Sequence, residues 1–249
     1  MKKINDSFNK IFKGKERVLV VLAHPDDAEI YCGGTIARLI DAGIEVRVVK
    51  MTSGNRGSRD EKISAKDLEE LRRKEDSASM KVLGVKMKNN AYLPINDGEV
   101  ENDLKTIERI VKQIREFRPD LIITHNPEDV FIRFSQEDSW VNHRDHRNTG
   151  KSAIDAAYPY SRDLLFFPKH FDHKKYKSHT TTEFLLVDYY DHVDNVFIDV
   201  TNYLDKRNNA LAQHSSQYSL EDAVDATDYF TKFEGTKNRF EKFRYVLTD

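Results

Sequence analysis

The ten residues from Val18 to Asp27, VLVVLAHPDD, constrain this chain more than any others. Five apolar residues of the buried-strand type run into a histidine, a proline and two adjacent aspartates. A strand ending in such side chains carries them to the rim of a sheet, where α/β proteins place their sites. His24 and Asp27 stand at i and i+3, and Pro25 stiffens the turn between them. Asp26 can face the same space as a free carboxylate. Two ligands and a spare base within four residues predict a hydrolytic metal site that lacks one ligand.

The flanking pattern predicts what carries this segment. Residues 17–23 read as a buried parallel strand, 29–41 as a helix closed by Gly43, and 45–51 as a second strand. Residues 65–83 read as a helix with a face of Leu68, Leu71, Ala78 and Val82, ended by Gly84. A short strand at 90–93 and a turn at 94–98 follow. The clearest helix is 102–117, striped by Leu104, Ile107, Ile110, Val111, Ile114 and Phe117 and stopped by Pro119. Residues 120–125 form the fourth strand. Alternating strands and helices predict parallel crossovers, hence a Rossmann-like three-layer α/β/α fold with a mostly parallel sheet, one domain over residues 1–249.

Beyond it the expectations are a loop at 126–142, long enough to suggest function, a helix at 144–157, and strands at 182–190 and 195–200. A helix at 203–217 and a tail at 220–249, read as one broken helix burying Phe230, Phe233, Phe240 and Phe243, complete the chain. Residues 1–17 suggest a short amphipathic helix packed on the body; a peripheral membrane role is the alternative.

Forty basic residues against 42 acidic give a net charge of −2, which argues against a nucleic-acid partner. Cys32 is the only cysteine, so no internal disulfide or cysteine-based zinc cluster can form. No secretory signal and no membrane-length apolar run is read, so the expectation is a cytoplasmic protein without an integral membrane segment. A homo-oligomer stays open.

The missing ligand should lie at the end of another strand, and the loop after the fourth strand supplies His143-Arg144-Asp145-His146. Catalytic zinc commonly takes three N/O ligands and leaves a position for water. His24, Asp27 and one histidine of this pair meet that count. Asp26 then fits a general base, and the second histidine is free to meet an oxyanion or a leaving group.

AHPDDAE at 23–29, Gly33-Gly34-Thr35 and HRDH at 143–146 together resemble the LmbE-like (PIG-L) family of zinc-dependent N-acetylglucosaminyl deacetylases. Thr52-Ser53-Gly54, Arg72 with Glu75, Ala78 and Leu83-Gly84, LPINDGEV at 93–100, KRNNALAQHSSQ at 206–217, and Gly235 with FEKFR at 240–244 resemble further family segments. The resemblance implies zinc on His24, Asp27 and His146, with Asp26 as general base. It implies His143 at the oxyanion or leaving nitrogen, with Asp145 as its orienting partner. Arg72 and Asp97 match positions that contact sugar hydroxyls in sugar-handling relatives. Val141 stands where some relatives carry a tyrosine, Arg144 replaces a usual proline, and the preceding loop holds Phe131, Phe134 and Trp140. These departures bear on the substrate more than on the metal chemistry.

Plainer readings stand beside these. Arg72 also fits a solvated helix face, and Asp97 a turn residue. His214 reads as a packed histidine, His170, His173 and His179 as surface, and Cys32 as a small packed residue. The leading function is a zinc amidohydrolase acting on an acetylated amino sugar. The alternatives are a metal-dependent hydrolase of another amide or ester, and a non-catalytic sugar- or nucleotide-binding module. Against the last, HPDDAEIYCGG is no G-x-G-x-x-G, and two aspartates repel a pyrophosphate. The ligand type makes zinc the default and also suits Fe²⁺ or Co²⁺.

Overall fold

The computed structural model describes residues 4–133, 138–188 and 192–249. The chain runs α1 (Phe8–Phe12), β1 (Arg17–Leu22), α2 (Asp27–Asp41), β2 (Glu45–Thr52), α3 (Ala65–Leu83), β3 (Asn90–Ile95), α4 (Leu104–Phe117) and β4 (Leu121–His125). It continues with β5 (Phe131–Arg133), β6 (Ser139–Val141), α5 (Arg144–Asp155), β7 (Glu183–Val187), β8 (Asn195–Asp199), α6 (Leu204–Leu211), α7 (Leu220–Thr231) and β9 (Phe240–Leu247).

Seven strands form one sheet in the order β3-β2-β1-β4-β7-β9-β8. The first five are mutually parallel, and β9 lies antiparallel between β7 and β8. The chain steps outward from β1 to β3, then returns to β4 on the other side of β1. That reversal makes the β1–β4 junction the topological switch point. The apolar run of β1 serves two cores. Val18, Val20 and Leu22 pack with Ile36 and Leu39 of α2, while Leu19 and Val21 pack with Ile107, Ile110 and Ile114 of α4. Burial on both faces explains why the run does not alternate. The N-terminal helix packs on the body, with Phe8, Ile11 and Phe12 buried. Among the described residues no helix is long and apolar enough to cross a membrane.

Four expectations are corrected. The tail is not one broken helix: α7 is followed by β9, a strand inside the sheet. Phenylalanines three apart suggested a helix, but β9 buries residues of both parities, which erases its period of two. The helix expected at 203–217 ends at Leu211, because Ser215 Oγ, Ser216 N and Ser216 Oγ all donate to Glu75, at 3.0, 2.7 and 2.7 Å. The loop at 126–142 contains the β5–β6 hairpin; Phe134 falls outside the described residues, as do Tyr189 and Tyr190 of the strand expected at 182–190. His170 is buried rather than on the surface, with Nδ1 3.1 Å from Arg115 Nη1 and Nε2 3.0 Å from Glu108 Oε1.

α2 breaks at Cys32 (φ −148°, ψ 21°) and restarts. The restart is capped from across the fold. Glu241 of β9 accepts from Gly34 N at 2.8 Å and Thr35 N at 2.7 Å, satisfying amides that the break leaves open. A side chain at Gly34 would set its Cβ 2.6 Å from Val200 Cβ, so only glycine lets the restart sit this close. Arg207 Nε stands 3.2 Å from Glu241 Oε1, both side chains buried. Glu241→Ala would take the buried guanidinium's carboxylate and the acceptor of the two amides, leaving Arg207 its bond to Ile30 O. We expect a loss of about 3–5 kcal/mol in urea unfolding; a loss under about 1 kcal/mol would show that the cap contributes little.

Candidate metal centre

β1 delivers His24 to the switch point. The His24 amide donates to Asp27 Oδ2 at 2.7 Å, closing the HPDD turn on itself. Asp26 lies in the left-handed region, at φ 100° and ψ −29°. Aspartate tolerates that region better than most residues, and an outlier of this kind needs surroundings that enforce it. Arg72 of α3 supplies them. Its Nη2 donates to Asp26 Oδ2 and to Pro25 O, both at 2.6 Å. Arg72 is 3% exposed, which overturns its reading as a solvated helix face.

The whole buried middle of α3 is polar. Arg72, Glu75, Asp76 and Ser79 share one face, while Leu71 of the expected apolar face is exposed. Asp76 takes Lys50 at 2.9 Å and Asn90 Nδ2 at 2.8 Å, and Ser79 donates to Glu29. Glu29 in turn lies 3.1 Å from Nε2 of the buried His214, as its reading as a packed histidine expects.

α5 brings the second motif. Gly150 lets the helix press on the end of β4: a Cβ there would stand 2.4 Å from His125 O. One turn earlier, His146 stacks on His125, ring centroids 3.9 Å apart. His146 Nε2 lies 3.4 Å from Asp27 Oδ1, and His24 Nδ1 3.5 Å from Asp27 Oδ2. Each histidine turns its other nitrogen toward a second carboxylate. His24 Nε2 is 3.1 Å from Asp97 and 3.4 Å from Asp145, and His146 Nδ1 is 3.6 Å from Asp188. The carboxylates stand on the side where metal-binding histidines keep their outer partners, as charge contacts and not as aligned hydrogen bonds.

Asp145 is placed differently from expectation. Its carboxylate accepts from Gly98 N at 2.6 Å and Val100 N at 3.2 Å, and faces His24. What orients His143 is the Asp145 main chain, whose amide donates to His143 Nδ1 at 3.2 Å. The proton of a neutral His143 then sits on Nε2.

Two site residues carried no role in the sequence reading. His125 ends β4 with Nδ1 2.6 Å from Asp188 Oδ2, and Nε2 3.1 Å from Ala23 N and 3.2 Å from Asp27 Oδ2. Asp188 follows β7 at φ 62° and is buried. The signal that exposed His24, a polar residue ending an apolar strand, marks both.

Electrostatically the cluster wants a cation. Burial raises Asp27, but His146, His125 and His24 together hold it well below the carboxylate range. Burial lowers His146, yet Asp27 and Asp188 lift it to about 9, and Asp145, Asp27 and Asp97 overcome burial to hold His24 well above its usual value. His143 goes the other way: burial and the charges of His24 and His146 lower it, against Asp145 and Asp97. Burial raises Asp26 to about 6, with Arg72 opposing and Asp27 adding. His24 Nε2 and His146 Nδ1 are buried without an aligned hydrogen bond. The nitrogens of His24, His143 and His146 lie within 4.8 Å of one another, as do donor atoms of Asp27, His125 and His146. Two imidazoles and a carboxylate converging in this way fit a borderline divalent ion. Asp26, Asp27, His143 and His146 line a cleft of about 320 Å³.

The sheet order and a histidine–carboxylate cluster over its switch point define a three-layer α/β protein of the LmbE-like class. The family model for GlcNAc-PI de-N-acetylases (PIG-L) matches residues 19–157, and the chain belongs to that family. It is similar to a diacetylchitobiose deacetylase of Thermococcus kodakarensis, 31% identical over 87% of this chain and 74% of the relative. A mycothiol S-conjugate amidase of Streptomyces coelicolor is 29% identical over 61% of this chain and 55% of its own. The crystal structure of an N,N'-diacetylchitobiose deacetylase from Pyrococcus horikoshii superposes with a TM-score of 0.80 at 27% identity, covering 99% of this chain and 95% of that one.

Proposed function

We propose that this chain is a zinc-dependent hydrolase that removes the N-acetyl group from an N-acetylglucosamine-type sugar or conjugate, with His24, Asp27 and His146 holding the ion. The observation that carries the reading is Asp26. It is a buried carboxylate with its pKa lifted to about 6, fixed by Arg72 beside the His24–Asp27–His146 cluster. A general base serves best with a pKa near the working pH. The deacetylase and amidase relatives favour an amide as the bond cleaved.

When bound, the divalent ion would lower the pKa of water and polarise the amide carbonyl. Asp26 takes the proton as the water oxygen bonds to the carbonyl carbon. The same carboxyl returns it to nitrogen as the C–N bond breaks, leaving acetate and a free amine. His143, with Nδ1 occupied by the Asp145 amide, offers Nε2–H to the carbonyl oxygen as charge develops there. A neutral donor replaces the imidazolium that a carboxylate-supported His143 would have supplied. Asp97, 3.1 Å from His24 Nε2, would take a sugar hydroxyl. Arg72 acts on the substrate only through Asp26.

The base must be ionised, so kcat/KM should fall as pH drops through about 6. Arg72 is the foremost of the cations that lower Asp26, ahead of His214 and His24. In Arg72→Gln that acid limb should therefore move to higher pH; an unmoved limb would dissociate Asp26 from it. The function itself is tested by incubating zinc-loaded protein with a panel of N-acetylated amino sugars and their disaccharides and detecting released amine. Release from glucosamine-type substrates is expected. Release only from unrelated amides or esters would favour the other hydrolase reading, and no turnover of any kind the binding module.

A further inference from the structure

One wall of the cleft is unlike the rest of the site. From His146 outward the rings form a run: Tyr31 is edge-on to His146 at 6.1 Å, Phe230 lies 5.6 Å from Tyr31, and Trp140 6.1 Å from Phe230. Trp140 in turn stacks on Tyr229 at 5.6 Å with their planes 10° apart. Ile30, Ile132 and Ala226 line the same cleft. Three separate elements, α2, the β5–β6 hairpin and α7, contribute these side chains, so the wall is no accident of one helix face.

The polar groups lie on another flank. Asp97, Asn55, Asn96, Arg56 and Glu99 bond among themselves near His24 Nε2, and none of them lines the apolar cleft. Sugar hydroxyls need fixed polar partners, and that flank has them. Beyond its reacting groups and the tips of Tyr31, Tyr218 and Trp140, the cleft offers only hydrocarbon and ring faces among the described residues. An amide presents two substituents, and the two flanks match them: the sugar on nitrogen belongs with the carboxylates, the acyl carbon with the rings.

We propose that this cleft seats the acyl group of the substrate, so that the chain cleaves N-acyl amino sugars with acyl groups longer than acetyl as well, and in preference to the acetyl sugar. The inference rests on the amide-hydrolase reading above. On the scale of about 30 Å³ per water-sized group, the amide, its water and an acetyl methyl leave more than half of the roughly 320 Å³ unused. A chain of about six to eight carbons fits that space on the same scale. The reaction is unchanged: water's oxygen bonds to the acyl carbon, the C–N bond breaks with a proton delivered to nitrogen, and a longer carboxylate leaves.

The test uses two independent readouts on the metal-loaded protein. In the first, N-acetyl-, N-butyryl-, N-hexanoyl- and N-octanoylglucosamine are compared, with octyl N-acetylglucosaminide as the control that carries its chain on the sugar. Each seated methylene is worth up to about fourfold, so kcat/KM should rise at least about tenfold from acetyl to hexanoyl. The rise should disappear in Trp140→Ala and in Ala226→Phe, which fills the cleft without removing a wall. A flat or falling series, or a gain confined to the octyl glycoside, overturns the proposal. The second readout needs no turnover. Trp140 is the only tryptophan in the chain, so octanoate should shift its emission where acetate does not, and Ala226→Phe should weaken that shift. An emission shift without hydrolysis of any acyl sugar would keep the acyl site and sink the deacetylase reading. Hydrolysis of the acetyl sugar with neither emission shift nor chain-length gain would do the reverse.

Discussion

Asp26→Asn should lose at least about 100-fold in turnover while binding metal as the unaltered protein does. The amide keeps the size of the carboxylate and an oxygen for Arg72 Nη2, and asparagine tolerates the φ of 100° at this position. What it cannot do is accept the proton of the attacking water. Loss of the charge also leaves the buried Arg72 guanidinium short of its anionic partner, so some stability will be lost. Turnover, measured on folded protein with the metal content verified, separates the two effects. Activity within about fivefold of the unaltered chain would mean that Asp26 only shapes the turn and that another group is the base.

The second large effect concerns the metal and protons together. In the absence of an ion, His24 is held well above its usual pKa and His146 at about 9, so both carry protons at pH 7. A metal must displace them, because only neutral imidazole binds. Zinc affinity should therefore weaken as pH falls, by up to about 100-fold per pH unit for two protons, and level off only above about 9. Calorimetry in buffers of differing ionisation enthalpy should find close to two protons released per ion. His146→Ala should release one fewer and lose at least about 100-fold in affinity. Its fold should survive, since Asp188 keeps its 2.6 Å contact with His125. Unchanged affinity in this variant would remove His146 from the ligand set and point to the nearby Asp27–His125 pair.

Much of the architecture was readable because apolar patterning is a local signal. The α3 and α4 boundaries were legible from Gly84 and Pro119, and HPDD with HRDH pointed to one place before any strand was paired. What escaped the reading shares a cause: partners distant in the chain. The polar face of α3 is buried only because Asp26, Ser215, Ser216 and Lys50 come to meet it. An apolar stripe drawn through Leu71 could not register that. Glu241 looked like one acid in a charged tail until β9 carried it to the amides of Gly34 and Thr35. Asp188 was hidden by extending its strand to Tyr190. His125 was placed at a strand end but given no role, since the carboxylate that claims it, Asp188, lies 63 residues further on. Asp145 was given to His143 by the family resemblance, whereas its carboxylate is claimed by the turn at Gly98 and Val100.

The account's central claim is a single catalytic ion at the β1–β4 junction. It is tested most directly by stripping the protein with a chelator and titrating zinc back while following amine release from an N-acylated glucosamine. Activity should be abolished by the chelator and return linearly, saturating at one equivalent per chain. Full activity in the stripped protein, or a requirement for two equivalents, would contradict it.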